Sequence, residues 1–404
     1  MCMADLKIYS DCIDEKAKAQ VYDFARLPAF FDAKIRIMPD CHAGVGCVIG
    51  FTATMTDKVI PNVIGVDIGC GVRVEKLNIK DCAFDELDAF IRRTIPAGMS
   101  VNASCSEIAK GYVDQLLCRK FLKNREWLEA SLGTLGGGNH FIELDASEKD
   151  GYLYIVVHTG SRNLGKQVAE YYQKLAIKRL KSESEAEANE RKEVVERLKK
   201  EGRQAEIEGC LKEIKEKYRN HPAIPDELCY LEGKDLDDYM HDMRICQEFA
   251  VRNRQMIVQR LMLFFEEQYG AVSTESFESV HNYIDENNIV RKGAISAHRG
   301  QKLIIPLNMR DGAIIGRGKG NPDWNESAPH GAGRILSRAQ AKQLLTVEEF
   351  QREMEGIYTT TADRSTIDES PMAYKPIDEI LKYVGDTVEI EEIVKPVYNF
   401  KAGE

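Results

Sequence analysis

A carboxylate and a thiol stand close together in a short glycine-rich segment, where Asp67 and Cys70 are separated by only two residues. Glycine lets the backbone bend sharply, so both side chains can face one point. A carboxylate and a thiolate together can hold a metal ion. A turn aspartate beside a buried cysteine is the simpler alternative, and these residues alone leave both interpretations open.

A second group of polar side chains follows three consecutive glycines at 136–138. Glycines in such a run let a ligand approach the backbone closely. Asn139, His140 and Glu143 then offer an amide, an imidazole and a carboxylate, and Phe141 offers a ring on which a base can stack. The segment predicts a ligand site, with a tight turn of no chemical role as the alternative.

Two further histidines, His158 and His281, lie beside other polar residues. His158 follows the apolar run 152–157, and the loop after a strand is a common place for a site. Arg162 comes shortly after it and can bind a phosphate through two parallel hydrogen bonds. His281 precedes Asn282. Because a lone histidine is more often structural, neither residue is decisive by itself.

His330 lies in the segment Pro329-His-Gly-Ala-Gly333, directly before a helix that we expect from about 335 to 345. Backbone N–H groups of the glycines at the start of that helix would form an anion site. The helix dipole would disfavour protonation of His330 and keep its imidazole neutral. A neutral imidazole beside an anion site suits nucleophilic attack on phosphorus, whereas a helix-capping histidine is the alternative.

Taken together, these side chains suffice for a site with two metal ions. Three histidines, one aspartate and one cysteine could bind both ions, with the thiolate as a bridge. Enzymes that transfer phosphoryl groups use paired metals of this kind. No single motif indicates a reaction by itself, but the combined pattern favours an enzyme that transfers phosphoryl groups.

The elements that must position these residues alternate between strand-rich and helix-rich stretches. Short β-branched runs separated by glycines predict strands within 35–74, 152–157 and 293–335. Apolar residues at helical spacing predict helices within 13–24, 83–132 and 236–268. After Pro371 we expect only short elements. This mixture predicts an α+β fold.

The stretch from 181 to 218 differs from the rest of the chain because charged residues of both signs dominate it and proline is absent. Such a composition predicts a solvated helix or helical hairpin with i,i+4 ion pairs. We interpret it as an insertion, at about 170–220, within one large domain that spans 1–404. A solvated face is the simpler interpretation, and an interaction arm is the alternative.

The composition excludes several classes of protein. Hydrophobic residues make up 43% and charged residues 30% of the chain, which is ordinary for a globular protein. No apolar run is long enough for a membrane-spanning helix, and we expect a cytoplasmic protein with no membrane partner. The net charge of −10 argues against a basic nucleic-acid coat but allows a local basic groove. The eleven cysteines include no CxxC pair and are expected to be reduced.

The ordered set of motifs resembles the RtcB family of GTP- and manganese-dependent RNA ligases over nearly the whole chain. The residues that carry the resemblance form six segments, Met38-Pro-Asp-Cys-His-Ala-Gly44, Gly65-Val-Asp-Ile-Gly-Cys-Gly71, Gly136-Gly-Gly-Asn-His-Phe-Ile-Glu143, His158-Thr-Gly-Ser-Arg162, Arg291-Lys-Gly-Ala294 and His330-Gly-Ala-Gly-Arg334.

The resemblance implies a reaction that joins an RNA 3′-phosphate or 2′,3′-cyclic phosphate end to a 5′-hydroxyl end. His330 would take a guanylate from GTP, pass it to the RNA 3′-phosphate, and the 5′-hydroxyl would then expel GMP. Two Mn²⁺ ions are implied. Asp67, Cys70 and His140 would bind one ion, and Cys70, His158 and His281 would bind the other.

The resemblance also implies the residues that contact the nucleotide and the RNA. The nucleotide positions are Asn139, His140, Phe141, Ile142, Glu143, His281, Asn282, Pro306, Leu307, Asn308, Met309, Ala313, His330, Gly331, Ala332, Gly333, Tyr374 and Lys401. The candidate RNA contacts are Arg162, Lys292 and Arg334.

The chain departs from the family pattern at the turn after Pro306, where Asn308, Arg310 and Ala313 replace small residues of the Gly-Ser type. Asn308 can still form hydrogen bonds through its side chain, but Ala313 cannot. The choice between GTP and ATP therefore stays open. So do a role in tRNA splicing or RNA repair, a helper protein, and the oligomeric state. Two other functions remain as alternatives, a dinuclear metal phosphoesterase acting on RNA ends and a non-catalytic RNA-end binder.

Overall fold

The structure, a computed structural model, describes residues 4–217 and 224–403. Within these ranges the strands are β1 (Asp5–Ile8), β2 (Lys34–His42), β3 (Ile49–Thr54), β4 (Lys58–Val59), β5 (Gly71–Leu77), β6 (Phe141–Ser147), β7 (Leu153–Thr159), β8 (Leu231–Glu232), β9 (Ser273–Val280), β10 (Asn282–Ile284), β11 (Ile289–Lys292), β12 (Ala294–Ser296), β13 (Lys302–Asn308), β14 (Gly312–Gly318), β15 (Ser327–Pro329) and β16 (Val388–Lys401).

The helices of the described residues are α1 (Glu15–Phe24), α2 (Pro61–Ile64), α3 (Phe84–Thr94), α4 (Glu107–Gln115), α5 (Arg125–Ala130), α6 (Arg162–Lys200), α7 (Ile207–Lys217), α8 (Gly233–Tyr269), α9 (Arg338–Leu344), α10 (Val347–Glu353) and α11 (Ile377–Val384). Helices and mostly antiparallel strands occur side by side, which confirms the predicted α+β class. None of the described helices combines the length with the apolar character that crossing a bilayer requires.

A seven-stranded sheet in the order β13-β14-β16-β6-β7-β5-β9 forms the centre of the fold. Its neighbouring strands all pair antiparallel. Alternate residues of a strand point to opposite faces. On β6, Ile142 and Leu144 therefore pack into one core with residues of α3 and α8, whereas Phe141 belongs to another core.

A five-stranded sheet in the order β1-β2-β3-β11-β10 lies beside the first. Strand β2 pairs antiparallel with β3, and the register of this pair shifts between Ile37 and His42. This irregular end of β2 carries Asp40 and His42. Strand β10 follows β9 after the single residue His281, so that this histidine lies where the two sheets adjoin.

The long helix α8 fixes the loops that carry several candidate residues. The side-chain oxygen of Asn253 accepts hydrogen bonds from the backbone N–H groups of Gly133 (2.6 Å) and Thr134 (3.1 Å). The guanidinium of Arg254 donates to the carbonyls of Gly69 (2.8 Å) and Thr159 (2.7 Å). Because both side chains are fully buried, these bonds replace lost contacts with water and hold the loops in place.

The charged stretch forms the outer part of α6 together with α7. Leu198 on α6 and Ile214 on α7 are buried, whereas most neighbouring residues are exposed. The start of α6, by contrast, buries Leu164, Val168 and Tyr172 in the main core. The interpretation of 170–220 as an insertion stays a prediction, and its last residues, 218–220, lie outside the described residues.

Three local expectations were wrong. Val63 and Ile64 form one of the β-branched runs expected as strands within 35–74, but they are part of the short helix α2, because Pro61 begins a helical turn there. The helix expected from 335 begins at Arg338, where Ser337 forms a capping box with Gln340. The final segment contains the 14-residue strand β16, which pairs with both β14 and β6.

Candidate active site

The five predicted metal ligands lie together at one edge of the seven-stranded sheet. His158 on β7 pairs with Phe141 on β6 and with Val72 on β5, so the residues just before β5 and β6 are its neighbours. These residues are Cys70 and His140. His281 follows β9, the next strand beyond β5, and Asp67 lies in the loop before Cys70.

The ligand atoms form two overlapping groups with Cys70 in common. In one group, the Nε2 atom of His140 lies 3.1 Å from a carboxylate oxygen of Asp67 and 3.6 Å from Sγ of Cys70. In the other, Nε2 of His158 lies 3.3 Å from the same sulfur and 3.4 Å from Nε2 of His281. Within each group all ligand atoms lie within 4.8 Å of one another, close enough for one metal ion to bind them.

Backbone carbonyls orient two of the imidazoles towards the groups. Nδ1 of His140 lies 3.0 Å from the carbonyl of Leu135, and Nδ1 of His158 lies 3.0 Å from that of Asn139. A carbonyl only accepts, so Nδ1 of His158 carries the hydrogen and its Nε2 keeps its lone pair. His140 has two further contacts, because its Nε2 lies 3.1 Å from Asp67 and its Nδ1 lies 3.1 Å from the Arg162 guanidinium. Metal-binding histidines are typically held by contacts of this kind.

Burial shapes the ionisation of these ligands. It lowers the pKa of His158 to about 3 and that of His281 well below its usual value, so both imidazoles are neutral at pH 7. Burial alone would raise the pKa of Asp67, but the hydrogen bond with His140 brings it to about 2. Burial raises the pKa of the Cys70 thiol well above its usual value, so binding of a cation must displace its proton.

His330 is held by a buried carboxylate and not by a helix dipole. Seven residues lie between His330 and the start of α9, so the expectation that the dipole keeps its imidazole neutral was wrong. Instead, one oxygen of Asp40 accepts hydrogen bonds from Nδ1 (2.7 Å) and from the backbone N–H (3.1 Å) of His330. The Nε2 atom takes part in neither hydrogen bond, and the ring centroid lies 4.9 Å from that of His281.

A cavity of about 290 Å³ opens beside His330 and both ligand groups. Fifteen of the predicted nucleotide positions line it, namely Asn139, Phe141, Glu143, His281, Asn282, Pro306, Leu307, Asn308, Met309, His330, Gly331, Ala332, Gly333, Tyr374 and Lys401. His140, Ile142 and Ala313 do not. Ile142 and Ala313 point into hydrophobic cores, so a direct contact of either side chain with a ligand is excluded.

Arg310 also lies away from the cavity, because Asp311 and Glu353 form ion pairs with its guanidinium. The departure from the family pattern at Arg310 therefore changes the side of the turn that faces away from the cavity. Asn308 is the member of the altered turn that lines the cavity, and its side-chain amide donates to Asp311 (2.7 Å).

A buried carboxylate that the sequence analysis missed organises the wall of the cavity. One oxygen of Glu369 accepts hydrogen bonds from Tyr374 (2.6 Å) and Lys401 (2.8 Å), and the other pairs with Arg338 (2.7 Å) and Arg334 (3.2 Å). Burial alone would raise the pKa of Glu369, but these cations bring it to about 2. No local motif marks Glu369, because its partners come from distant parts of the chain.

The three predicted RNA contacts have different surroundings. Lys292 is buried, and its ammonium donates to the carbonyls of Val45, Cys47 and Asn62, so it is not available to a phosphate. Arg334 lines the cavity. Arg162 lies against Gly136 and has its Nη1 3.1 Å from Nδ1 of His140, and its Nε has no hydrogen-bond partner among the described residues.

A mixed α+β fold that brings three imidazoles, a thiol and a carboxylate together beside a cavity is typical of metal-dependent enzymes. Comparison with known families shows to which family of enzymes the chain belongs. The family model of tRNA-splicing ligase RtcB matches residues 20–402, and the chain belongs to this family of RNA ligases. The resemblance seen in the sequence motifs is thereby confirmed.

Curated relatives of similar length agree with this assignment. RNA-splicing ligase RtcB of Escherichia coli K12 is 31% identical, over 94% of this chain and 92% of its own. The tRNA-splicing ligases RtcB of Nanoarchaeum equitans and Pyrobaculum aerophilum are 27% and 26% identical, each over 93% of this chain and 90% of its own.

Proposed function

We propose that this chain joins an RNA 3′-phosphate or 2′,3′-cyclic phosphate end to a 5′-hydroxyl end, with GTP as the energy source and two Mn²⁺ ions as cofactors. The observation that carries the proposal is His330. Its Nδ1 is held by Asp40 at 2.7 Å, and its ring lies beside His281 at the wall of the cavity.

His330 is the proposed nucleophile. Its Nε2 lone pair attacks the α-phosphorus of GTP, a P–N bond forms, and the bond to the bridging oxygen of the β-phosphate breaks to release pyrophosphate. Asp40 stabilises the positive charge that develops on the ring, as a carboxylate does in a nucleophile–base–acid arrangement. Since Asp40 is fully buried, its charge acts in a medium of low polarity, where it has a strong effect.

The metal ligands of this proposal are Asp67, Cys70 and His140 for one ion and Cys70, His158 and His281 for the other. The donor atoms fit divalent ions, because the imidazoles present lone pairs and the thiol can bridge as a thiolate. When bound, such ions neutralise the charge that builds up on phosphate oxygens. Softness of the ligands favours Zn²⁺ over Mn²⁺, so we expect zinc to compete for the site.

The nucleotide occupies the cavity in this proposal. Phe141 offers a ring for the base, and the ammonium of Lys401 lies 5.3 Å from the centroid of that ring. Gly331 and Gly333 line the cavity, so we expect phosphate oxygens to lie near their backbone N–H groups. Gly333 has φ +74°, and an added Cβ there would lie 2.2 Å from the carbonyl of Asp40.

In the second half of the reaction, the RNA 3′-phosphate takes the guanylate from His330, and the P–N bond breaks as a P–O–P linkage forms. The 5′-hydroxyl then attacks the activated 3′-phosphate, forms the phosphodiester and expels GMP. Arg162 and Arg334 remain our candidates for contacts with RNA phosphates. The Nε of Arg162, which has no hydrogen-bond partner in the part of the chain that the structure describes, is the donor that a phosphate oxygen could satisfy.

The proposal is tested by incubating the purified protein with GTP, Mn²⁺ and two RNA strands, one with a 3′-phosphate and one with a 5′-hydroxyl. We expect a joined product that depends on GTP and disappears in His330→Ala. Parallel reactions with ATP establish the choice of base. Removal of the terminal phosphate without joining, independent of nucleotide, would instead support a phosphoesterase. Binding of RNA ends without chemistry would support a non-catalytic end binder.

A further inference from the structure

Asp145 is a buried carboxyl group that the proposed reaction does not use. It lies on β6, two residues after Glu143, so both side chains point to the same face of the sheet. Asp145 is fully buried, and Glu143 is nearly so. Among the described residues, no amide, hydroxyl or cationic group donates to either side-chain oxygen of Asp145, whose hydrogen-bonding neighbour is the carboxyl of Glu143.

Among the described residues, the strands paired with β6 place no counter-charge opposite Asp145. Pro396 of β16 and Tyr154 of β7 lie directly across from it in the sheet. Proline has no N–H to donate. The hydroxyl of Tyr154 already donates to Glu392 at 2.7 Å. The charged group that acts on Asp145 is a second carboxyl, Glu143.

Two neighbouring buried carboxyl groups cannot both ionise without a large penalty. Burial, together with the charge of Glu143, raises the pKa of Asp145 well above its usual value. Burial also raises the pKa of Glu143, but only to about 7, because hydrogen bonds with Asp145 and Asn399 and the charge of Lys401 oppose the effect. Of the two, Asp145 is the group that keeps its proton.

We propose that Asp145 is a permanently protonated acid that donates its hydrogen to Glu143, and that it thereby sets the base specificity of the nucleotide cavity. The proposal rests on the nucleotide-binding role proposed above. Glu143 and Asn399 both line the cavity, and the amide of Asn399 donates to Glu143. The side-chain oxygen of Asn399 is buried and has no donor among the described residues.

Glu143 and Asn399 therefore form an edge of the cavity that presents acceptors, namely the carboxylate of Glu143 and the side-chain oxygen of Asn399. It matches a base with adjacent N–H donors, as on the N1 and 2-amino groups of guanine, and mismatches adenine, whose N1 is an acceptor. Asp145 positions this edge without reaching the ligand. Its proton satisfies one side of the Glu143 carboxylate and leaves the other side free to accept from the base.

The test is infrared difference spectroscopy on the nucleotide-free protein at a pH clearly above 7, where Glu143, with a pKa of about 7, is ionised and contributes no acid band. We expect the native protein to show the C=O band of a protonated carboxylic acid and Asp145→Asn to lack it. Asp242→Asn is the matched control, because Asp242 is equally buried but accepts hydrogen bonds from Leu117, Cys118 and Tyr172. Both oxygens of Asp242 are occupied by these donors, so we expect this variant to keep the band.

Nucleotide discrimination provides the second readout. Asp145→Asn still donates to Glu143 and should form the His330 adduct with GTP within about threefold of the native rate, whereas Asp145→Val loses the donor and should be slower by roughly ten- to hundredfold, with a reduced preference for GTP over ATP. If neither variant folds, Glu143→Gln replaces them in the infrared test. Asp145 should then keep its acid band, and the band should shift in frequency because the acceptor of its hydrogen bond has changed.

Absence of the acid band in the native protein, or its persistence in Asp145→Asn, would overturn the proposal. An unchanged preference for GTP in Asp145→Val would overturn the specificity role. Failure of the native protein to form any adduct would instead contradict the ligase proposal, and the infrared result would stand independently of it.

Discussion

At the scale of single residues, the pair of Asp40 and His330 explains how an ordinary side chain becomes a nucleophile. Asp40 receives both hydrogen bonds on one oxygen, while its other oxygen is buried without a partner among the described residues. The carboxylate is thus committed to His330. This fixes the imidazole with Nε2 free, which is the state that attack on phosphorus needs.

Asp40→Asn tests this arrangement, because it keeps the shape of the side chain and removes its charge. We expect the rate of His330 nucleotidylation to fall by roughly a hundredfold or more, as for other histidines that lose their carboxylate partner. The rate is measured with α-labelled GTP in single turnover. Metal content should be unchanged, because Asp40 belongs to neither ligand group. A variant with the native rate would contradict the role of Asp40.

Glu369 gives a prediction for the dependence of stability on pH. Its folded-state pKa of about 2 is below the ordinary value of 4.5, so its ionised form stabilises the folded state. This contribution is complete above pH 4.5 and is lost as the pH falls towards 2. The difference in melting temperature between the native protein and Glu369→Gln should therefore be largest near neutral pH and shrink in acid. A difference that does not vary with pH would show that the charge of Glu369 is unimportant.

At the scale of elements, the turn after β15 brings His330 onto the end of β2. Gly333 approaches the carbonyl of Asp40 so closely that an added Cβ would lie 2.2 Å from it. The turn after β15 can therefore pack against the end of β2 only because residue 333 is glycine and has no side chain. The position of Asp40 relative to His330 depends on this contact.

Comparison of Gly333→Ala with Gly202→Ala should separate two costs of the added Cβ, its clash with neighbouring atoms and the strain of alanine at positive φ. The two glycines have φ of +74° and +73°, but a Cβ at Gly202 would meet no atom within 4 Å. Gly202→Ala should cost about 1 kcal/mol, the penalty for alanine in this conformation. Gly333→Ala should cost clearly more and should also slow nucleotidylation. Equal losses in chemical denaturation would argue against the close approach.

Much of the site was predictable at this scale because its residues lie in short motifs whose glycines and polar groups are close in sequence. Asp67 with Cys70 and the run from 136 to 143 are of this kind. What was missed depends on distant partners. Glu369 is defined by Lys401 and Arg338, and Lys292 appears free until the carbonyls of another loop surround it. Strand β16 lacks simple alternation because register shifts interrupt it at two places.

At the scale of the whole molecule, residues of the two large sheets meet at the cavity, and we interpret the charged outer part of α6 with α7 as an insertion into this body. The ammonium of Lys181 lies 3.2 Å from a carboxylate oxygen of Asp226, so the chain leaves and returns at neighbouring points. A segment with adjacent ends can be removed with little effect on the rest of a domain.

Replacement of 184–223 by a short glycine-serine linker should therefore leave the melting temperature and the nucleotidylation of His330 close to native. If this segment is a solvated insertion, RNA joining should also persist. If it is an interaction arm, joining should fall while nucleotidylation stays. Loss of folding, seen as loss of the cooperative thermal transition, would contradict the interpretation of this segment as an insertion.

The central claim is that His330 becomes covalently linked to a nucleotide in a metal-dependent reaction. The most direct measurement is incubation of the purified protein with α-labelled GTP and Mn²⁺, followed by denaturing electrophoresis and by mass spectrometry of the labelled peptide. The account predicts an acid-labile, alkali-stable label on His330 that is absent from His330→Ala and from metal-depleted protein. No label with either GTP or ATP, in protein that has bound its metal ions, would contradict the account.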